Sequence, residues 1–264
     1  MEAKCHVCHY NSNFLLQKSG YNLFRCSNCN LIFVNPLPSI QKLKKVYSHE
    51  TGYQSSKIKD LSQIVEDKKT TKILDYISNN NKGKLLDVGC SNGQFIYFAK
   101  RRGFDVFGVE LNTDTARIAK TNKLKVFNGT LEQAGYKSGS FDVIFLGDII
   151  EHVTDPRDLI KRCIDLLKKD GLLVISTPNM DCFWVGSSYF WYKLLKIPMS
   201  VVTPPYHLYQ FSFKNLNLLA SQTGLKIKKY WYSSPPKLFH ELYHTQLAQN
   251  FYDHKTSSKN HVEG

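Results

Sequence analysis

Apolar positions follow two rhythms along this chain. Between residues 57 and 78, Ile58, Leu61, Ile64, Val65, Ile73, Leu74 and Ile77 recur at helical spacing. Asn79, Asn80, Asn81 and Gly83 stop that pattern. From Lys84 the rhythm changes to short apolar runs alternating with amphipathic stretches. KLLDV (84–88), FDVFGVE (104–110), LKVFNG (124–129), FDVIFLG (141–147) and LLVISTPN (172–179) read as buried strands. The intervening segments 93–103, 113–122 and 155–171 read as helices. The first ends at Gly103, the second opens on a capping Thr113 or Asp114, and the third has Pro156 in its first turn and Gly171 after its last. Apolar strands alternating with helices predict an α/β fold, a Rossmann-like doubly wound and mostly parallel sheet covered on both faces.

The flanks differ. Cys5, Cys8, Cys26 and Cys29 form two C-x2-C pairs separated by 17 residues. Two close pairs joined by a hairpin-length loop place four thiolates on one tetrahedron, the arrangement of a structural zinc site. FLL (14–16), YNLF (21–24) and LIFV (31–34) read as short strands, so residues 1–35 are expected to form a zinc ribbon. Four protein ligands leave no open position, which argues against catalytic zinc. The prolines of NPLPS (35–39) break the chain, and residues 36–82 serve as linker and lead-in helix. Residues 83–235 make the α/β domain. An aromatic insert at 180–206 interrupts it, a helix at 211–224 and a strand at 225–232 complete it, and residues 236–264 fade from a helix candidate into a polar tail.

Composition narrows the class. The chain has 264 residues with 42% hydrophobic and 22% charged, enough apolar content for a real core. No apolar run reaches the roughly 18 residues of a spanning helix, and MEAKCHVCHY lacks an apolar signal region, so a cytoplasmic protein is expected. Seven cysteines are too few for a disulfide scaffold. The net charge of +13 is spread along the chain, except that residues 181–235 hold six basic residues and one acidic. A field of that sign attracts an anionic partner. The ribbon holds only Lys4, Lys18 and Arg25 within residues 1–30, which disfavours a nucleic-acid grip.

The chemistry centres on LLDVGCSNGQF (85–95). Gly89 and Gly93 bracket a strand-to-helix turn where glycine admits a ligand close to the backbone. Glu110 ends the next strand, where a carboxylate can accept both hydroxyls of a ribose. The dinucleotide pattern G-x-G-x-x-G fails here. Residues 89–93 do spell G-x-S-x-G, but a hydrolase elbow needs several preceding sheet strands and an oxyanion segment, and neither is visible.

DVGCSNG, VFGVELN, NGTLEQ, FDVIFLGDIIEHVTDP and LLKKDGLLVISTPN together resemble the class I S-adenosylmethionine-dependent methyltransferases across roughly residues 65–232. The second glycine of that family's usual loop is Ser91 here. The ribbon, with CSNCNLIFVNPLPS following, resembles the zinc-binding domain found ahead of some small-molecule and sugar methyltransferases. The resemblance implies S-adenosylmethionine as cofactor. It places Asp87, Gly89, Cys90, Ser91 and Gly93 around the methionine end, Glu110 on the ribose, Leu111, Thr130 and Leu131 near the adenine, and Asp148 facing the sulfonium. For Leu111 and Leu131, plain core packing is the alternative.

A hydroxyl acceptor must lose a proton, and histidine suits that near neutral pH. His152 follows the fourth strand of the α/β domain, and His207 follows the aromatic insert; both are candidate catalytic bases, with a structural hydrogen bond as the alternative. Asp148, Glu151 and His152 stand at i, i+3 and i+4 and share a face on a helical turn. That cluster resembles the divalent-metal site of ubiquinone-pathway O-methyltransferases, although Asp148 in cofactor contact is the simpler account. The insert is expected to wall a sugar or aromatic acceptor; a membrane surface or packing on the ribbon are its alternatives. The expected reaction is methyl transfer to a small molecule, with a nucleotide-linked or lipid-linked sugar favoured. An RNA or protein acceptor and a metal-assisted ubiquinone-like reaction are the rivals.

Overall fold

The computed structural model describes residues 2–39, 41–43, 60–181, 194 and 203–232. Most of the aromatic insert and the whole 236–264 segment lie outside the described residues, as do residues 57–59 of the lead-in pattern. The described part contains two sheets. The larger has strands β5 (Lys84–Val88), β6 (Asp105–Glu110), β7 (Lys125–Asn128), β8 (Phe141–Gly147) and β9 (Leu167–Ser176). Their order is β7-β6-β5-β8-β9 and every pairing is parallel. The expected doubly wound parallel sheet is therefore present.

Alternation within the strands explains how the sheet is covered. On β5, Leu85 packs with Ile73, Leu74, Ile77, Ile96 and Ala99 on one face. Its neighbour Leu86 packs with Leu159, Cys163 and Leu166 on the other. Helices α1 (Lys68–Asn80), α2 (Gln94–Arg101) and α3 (Thr113–Thr121) thus cover one side, and α4 (Pro156–Leu166) covers the other. The chain reverses strand order between β6 and β8 on either side of β5, so the loops after β5, β6 and β8 meet at one edge, where ligands bind in such sheets.

Three details depart from the sequence reading. The cap of α3 is Asn112, whose Oδ1 accepts from the Asp114 and Thr115 amides. Thr113 and Asp114 fall inside the helix. Helix α4 ends at Leu166, well before Gly171; the exposed Lys168 leaves the helix pattern to place its ammonium 2.8 Å from Asp142 on β8. Residues 225–232 make no strand. Tyr230 packs on Phe213 with ring centroids 4.2 Å apart, and Trp231 packs on Tyr76 at 5.5 Å, so this segment is spent on side-chain contacts.

The second sheet is antiparallel and runs β1 (Glu2–Lys4), β2 (Asn11–Lys18), β3 (Tyr21–Cys26), β4 (Ile32–Val34) and β10 (Tyr209–Gln210). Strands β2, β3 and β4 cover the segments read as strands at 14–16, 21–24 and 31–34, and β1 is added to them. The fifth comes from the chain just before helix α5 (Phe213–Gln222), pairing Tyr209 with Phe33 and Gln210 with Ile32. Leu23, Leu31, Phe33 and Val34 share one core with Ile150, Ile160, Leu208, Tyr209, Phe211 and Leu219.

Candidate active site

The turn after β5 is built on two left-handed glycines packed closely against their neighbours. Gly89 and Gly93 adopt φ of +76° and +85°. A Cβ on Gly89 would strike the Ile149 side chain, and one on Gly93 would sit 2.5 Å from Leu124 Cδ1 and 3.0 Å from Ala119 Cβ. Ser91 also takes a left-handed φ, +50°, a strain on the order of 1 kcal/mol for a residue with a Cβ. Its amide donates to Glu110 Oε2 at 2.8 Å, a charge-assisted bond that offsets the strain. Glu110 Oε1 accepts from the Asn112 amide at 2.7 Å. Glu110 is therefore fixed beside the loop as anticipated. Burial pushes its carboxyl above the usual range while these amides pull it back.

Other members of the anticipated set take different positions. Asp87 is buried on β5, and burial, then the Glu110 charge, pushes its carboxyl well above the ordinary range. Cys90 points its thiol into the sheet, where a Cβ on Gly108 would come within 2.6 Å of the sulfur; only its backbone faces the turn. Leu111 is 43% exposed and Leu131 is buried in the core with Val88 and Val109. The Thr130 amide donates to Gln133 Oε1 at 3.0 Å.

At the end of β8, Asp148 adopts φ +54°. Its carboxylate accepts from Ser176 Oγ at 2.9 Å and pairs with Lys69 Nζ at 2.7 Å. Lys69, from the first turn of α1, was not singled out by its sequence position; a lysine opening an amphipathic helix carries no distinguishing signal. Residues 150–154 form turns, so the helical face expected for Asp148, Glu151 and His152 does not exist. The group brought together is Glu151, His152 and His207, whose candidate ligand atoms lie within 4.8 Å of one another. Asp148 is held out of it by Lys69 and Ser176.

Glu151 is 2% exposed and accepts from Thr177 Oγ1 at 2.9 Å. Burial raises its carboxyl to about 7. His152 Nδ1 lies 2.6 Å from the Tyr206 carbonyl, so that nitrogen carries the proton and Nε2, 3.8 Å from Glu151 Oε1, is the basic one. The His152 and His207 rings meet edge to face at 4.9 Å. Burial lowers both imidazoles, His207 to about 4 with the His152 charge adding to the effect. Both are neutral at pH 7.

The cysteines form a separate centre. Cys5 and Cys29 sulfurs lie 3.6 Å apart, Cys8 and Cys26 3.3 Å, and Cys8 and Cys29 3.6 Å, and none is in a disulfide. A zinc–sulfur bond of about 2.3 Å implies tetrahedral sulfur separations of roughly 3.8 Å, so the four fit that ion. Two matching turns present them. The His9 amide donates to Cys5 O at 2.9 Å and the Asn30 amide to Cys26 O at 3.2 Å, with φ of +61° and +62° at these two residues. Amides of Asn28 and Cys29 point at Cys26 Sγ, both at 3.4 Å. Such donors favour thiolates.

A five-stranded parallel sheet with a glycine turn after its central strand and a carboxylate closing the next is the architecture of the class I S-adenosylmethionine-dependent methyltransferases. The methyltransferase domain family model matches residues 61–230, and the chain belongs to that family. It is 34% identical over 121 residues to the ubiquinone biosynthesis O-methyltransferase of Actinobacillus pleuropneumoniae, covering 40% of this chain and 52% of the relative. It is 34% identical over 107 residues to the protein of the same name from Psychrobacter arcticus, covering 37% and 42%. The chain thus spans about half the length of the curated relatives it matches. The fold is shared with a methyltransferase from Methanosarcina mazei at TM-score 0.51 and 18% identity, covering 62% of this chain and 90% of that one. It is likewise shared with the SAH-bound magnesium protoporphyrin IX methyltransferase of Synechocystis at 0.51 and 16%, covering 63% and 76%. Residues 61–230 thus form a methyltransferase domain, and no helix among the described residues is long and apolar enough to cross a membrane.

Proposed function

We propose that this enzyme methylates a hydroxyl of a small molecule, with His152 as general base and a nucleotide-linked or lipid-linked sugar as the favoured acceptor. The observation that carries the oxygen chemistry is the cluster of buried Glu151 with half-buried His152 and His207, next to Asp148. The Tyr206 carbonyl fixes the His152 tautomer, so Nε2 is the atom that takes a proton. Glu151 Oε1 lies 3.8 Å from that nitrogen, and His207, neutral at pH 7, adds no opposing charge.

Bound S-adenosylmethionine supplies an electrophilic methyl group. The chain's part is to position it: Glu110 takes the ribose, the 89–93 backbone and Asp87 border the methionine end, Leu111 lies against the adenine, and Asp148 faces the sulfonium. Lys69, held on Asp148, brings a cation to the same end. Alignment of acceptor and donor then provides much of the rate. The sugar preference rests on the basic 181–235 stretch and on the ribbon's resemblance to modules of sugar methyltransferases. The oxygen preference agrees with the names of the curated relatives. The four cysteines are assigned a structural zinc. Residues 1–35 then act as the ribbon, 36–82 as linker and lead-in helix and 83–235 as the transferase domain; the 180–206 insert and 236–264 tail are kept as sequence assignments.

The test is incubation of the full chain with trideuteromethyl-labelled S-adenosylmethionine and a panel of sugar nucleotides, lipid-linked sugars and a metabolite extract. A labelled O-methyl product is expected. His152→Asn is expected to slow turnover about 100-fold or more while S-adenosylhomocysteine affinity holds. The acidic limb of the wild-type rate should lie below pH 6.5, following the lowered imidazole. Label on RNA or protein alone, or on nitrogen, overturns the acceptor class; full turnover by the variant overturns the base.

A further inference from the structure

We infer that the ribbon is part of the catalytic wall, and that Tyr209 is a positioning residue which transmits the state of the four-cysteine centre to His207 and His152. The coupling presupposes the zinc assigned above, and it follows from how residues 206–210 are suspended.

This strip is held on two sides. Toward the catalytic domain, the Leu208 and Tyr209 amides both donate to the Glu151 carbonyl, at 2.8 and 3.2 Å. Toward the ribbon, the Val34 amide donates to the Leu208 carbonyl at 2.9 Å, and Tyr209 pairs with Phe33 as the fifth strand of the sheet. His207 precedes this double attachment by one residue, and the Tyr206 carbonyl that orients His152 precedes it by two. His207 and the carbonyl that orients His152 are therefore both placed by a strip that the ribbon helps to hold.

Tyr209 makes the link specific. It is 1% exposed. Its hydroxyl donates to the Thr154 carbonyl at 2.9 Å, which commits its single proton. The contact to His6 Nδ1, also 2.9 Å, must then have the imidazole as donor. His6 lies between the ligands Cys5 and Cys8 and rests on Phe33 at 4.6 Å between ring centroids. Both metal turns are also clasped from the transferase side. Arg157 donates to the Val7 carbonyl at 2.8 Å, and Lys214 to the Asn28 carbonyl at 2.9 Å. A turn that relaxes on loss of its metal pulls on the same residues that place the catalytic pair.

The experiment follows the full chain by imidazole carbon–proton spectra, by amide exchange over residues 206–212, by zinc analysis and by S-adenosylhomocysteine titration. Tyr209→Phe keeps the ring and removes the hydroxyl. It is expected to retain zinc and cofactor affinity, to raise exchange at Leu208 and Tyr209 about tenfold or more, since the bonds to Thr154 and His6 are both lost, and to move the His152 and His207 signals. Removing zinc from the wild type should move the same signals in the same direction. His6→Ala, which loses the His6 contact but keeps the bond to Thr154, should move the same signals in the same direction by less, whereas His6→Asn, which keeps a donor near the Nδ1 position, should restore the wild-type spectrum. If Tyr209→Phe fails to fold, the two His6 variants carry the same comparison on the half-buried partner. Unmoved His152 and His207 signals in the variants overturn the coupling, whatever the metal analysis reads. A chain that binds no zinc while the variants still shift those signals overturns the zinc assignment and leaves Tyr209 as the positioning residue.

Discussion

At the scale of single residues, the half-buried Glu110 and the buried Glu151 do opposite work. Glu110 accepts from the amides of Ser91 and Asn112, so it ties the turn after β5 to the start of α3. Removing it costs the order of the turn and, on the proposed function, the ribose contact with it. Glu110→Ala is expected to weaken S-adenosylhomocysteine binding by about 2 kcal/mol or more, roughly 30-fold, in a titration of a protein that remains folded by circular dichroism. Glu110→Gln, which keeps one acceptor oxygen, should lose less; equal affinity of Glu110→Ala and wild type would remove Glu110 from the site. Glu151 is the contrasting case. Its carboxyl rises from 4.5 to about 7 in the folded chain, so the native state binds the extra proton. That contribution is complete below pH 4.5 and is lost as pH climbs through 7, roughly 3 kcal/mol in all. Glu151→Gln can still accept from Thr177 and does not titrate. Denaturant curves from pH 4.5 to 8 should show the variant gaining on the wild type as pH rises. A wild type that gains on the variant instead would mean an ionised Glu151 stabilised by a cation.

At the scale of elements, the turn between β5 and α2 depends on backbone space. Gly93 caps α2 in a left-handed conformation with Leu124 and Ala119 against it. Gly93→Ala meets both an unfavourable φ and a crowded neighbour, so a loss of about 2–3 kcal/mol is expected by urea unfolding, together with weaker S-adenosylhomocysteine binding. A neutral substitution would mean that the turn opens without it. This turn was legible in the chain because glycine spacing after an apolar strand is a local signal. The five parallel strands were legible for the same reason, as runs of Val, Ile, Leu and Phe. What escaped has no local signal. β10 is two residues long and exists only because β4 offers an edge. The His207 partnership with Glu151 and His152 joins positions more than 50 residues apart, so sequence spacing offers only Asp148, Glu151 and His152 as an alternative metal group, and Asp148 pairs with Lys69 instead. Helix α4 continued on paper to Gly171 since Lys168 and Lys169 are good helix formers; the pairing of Leu167 with Phe141 on β8 overrides that propensity.

At the scale of the whole molecule, the question is whether the ribbon unfolds alone. Sequence separates it at a proline-rich linker, and a zinc site usually makes its module self-sufficient. Packing says otherwise. Leu208, Phe211, Ile150 and Ile160 are at most 1% exposed, and each is buried in the core that the ribbon shares. Uncovering four such side chains costs on the order of 6–12 kcal/mol, at about 1.5–3 kcal/mol each. That is comparable with the entire stability of a typical domain, about 5–15 kcal/mol. Melting of the ribbon therefore carries the transferase domain with it. Calorimetry of the zinc-loaded chain should show one cooperative transition, and chelation of the metal should lower its midpoint by about 5 °C or more while leaving it single. Deletion of residues 2–34 should yield an insoluble or molten chain with no detectable S-adenosylhomocysteine binding. Two resolved transitions, with the cofactor stabilising only the upper one, would instead make the ribbon an independent module, and the shared sheet would then be a contact that forms after both parts have folded.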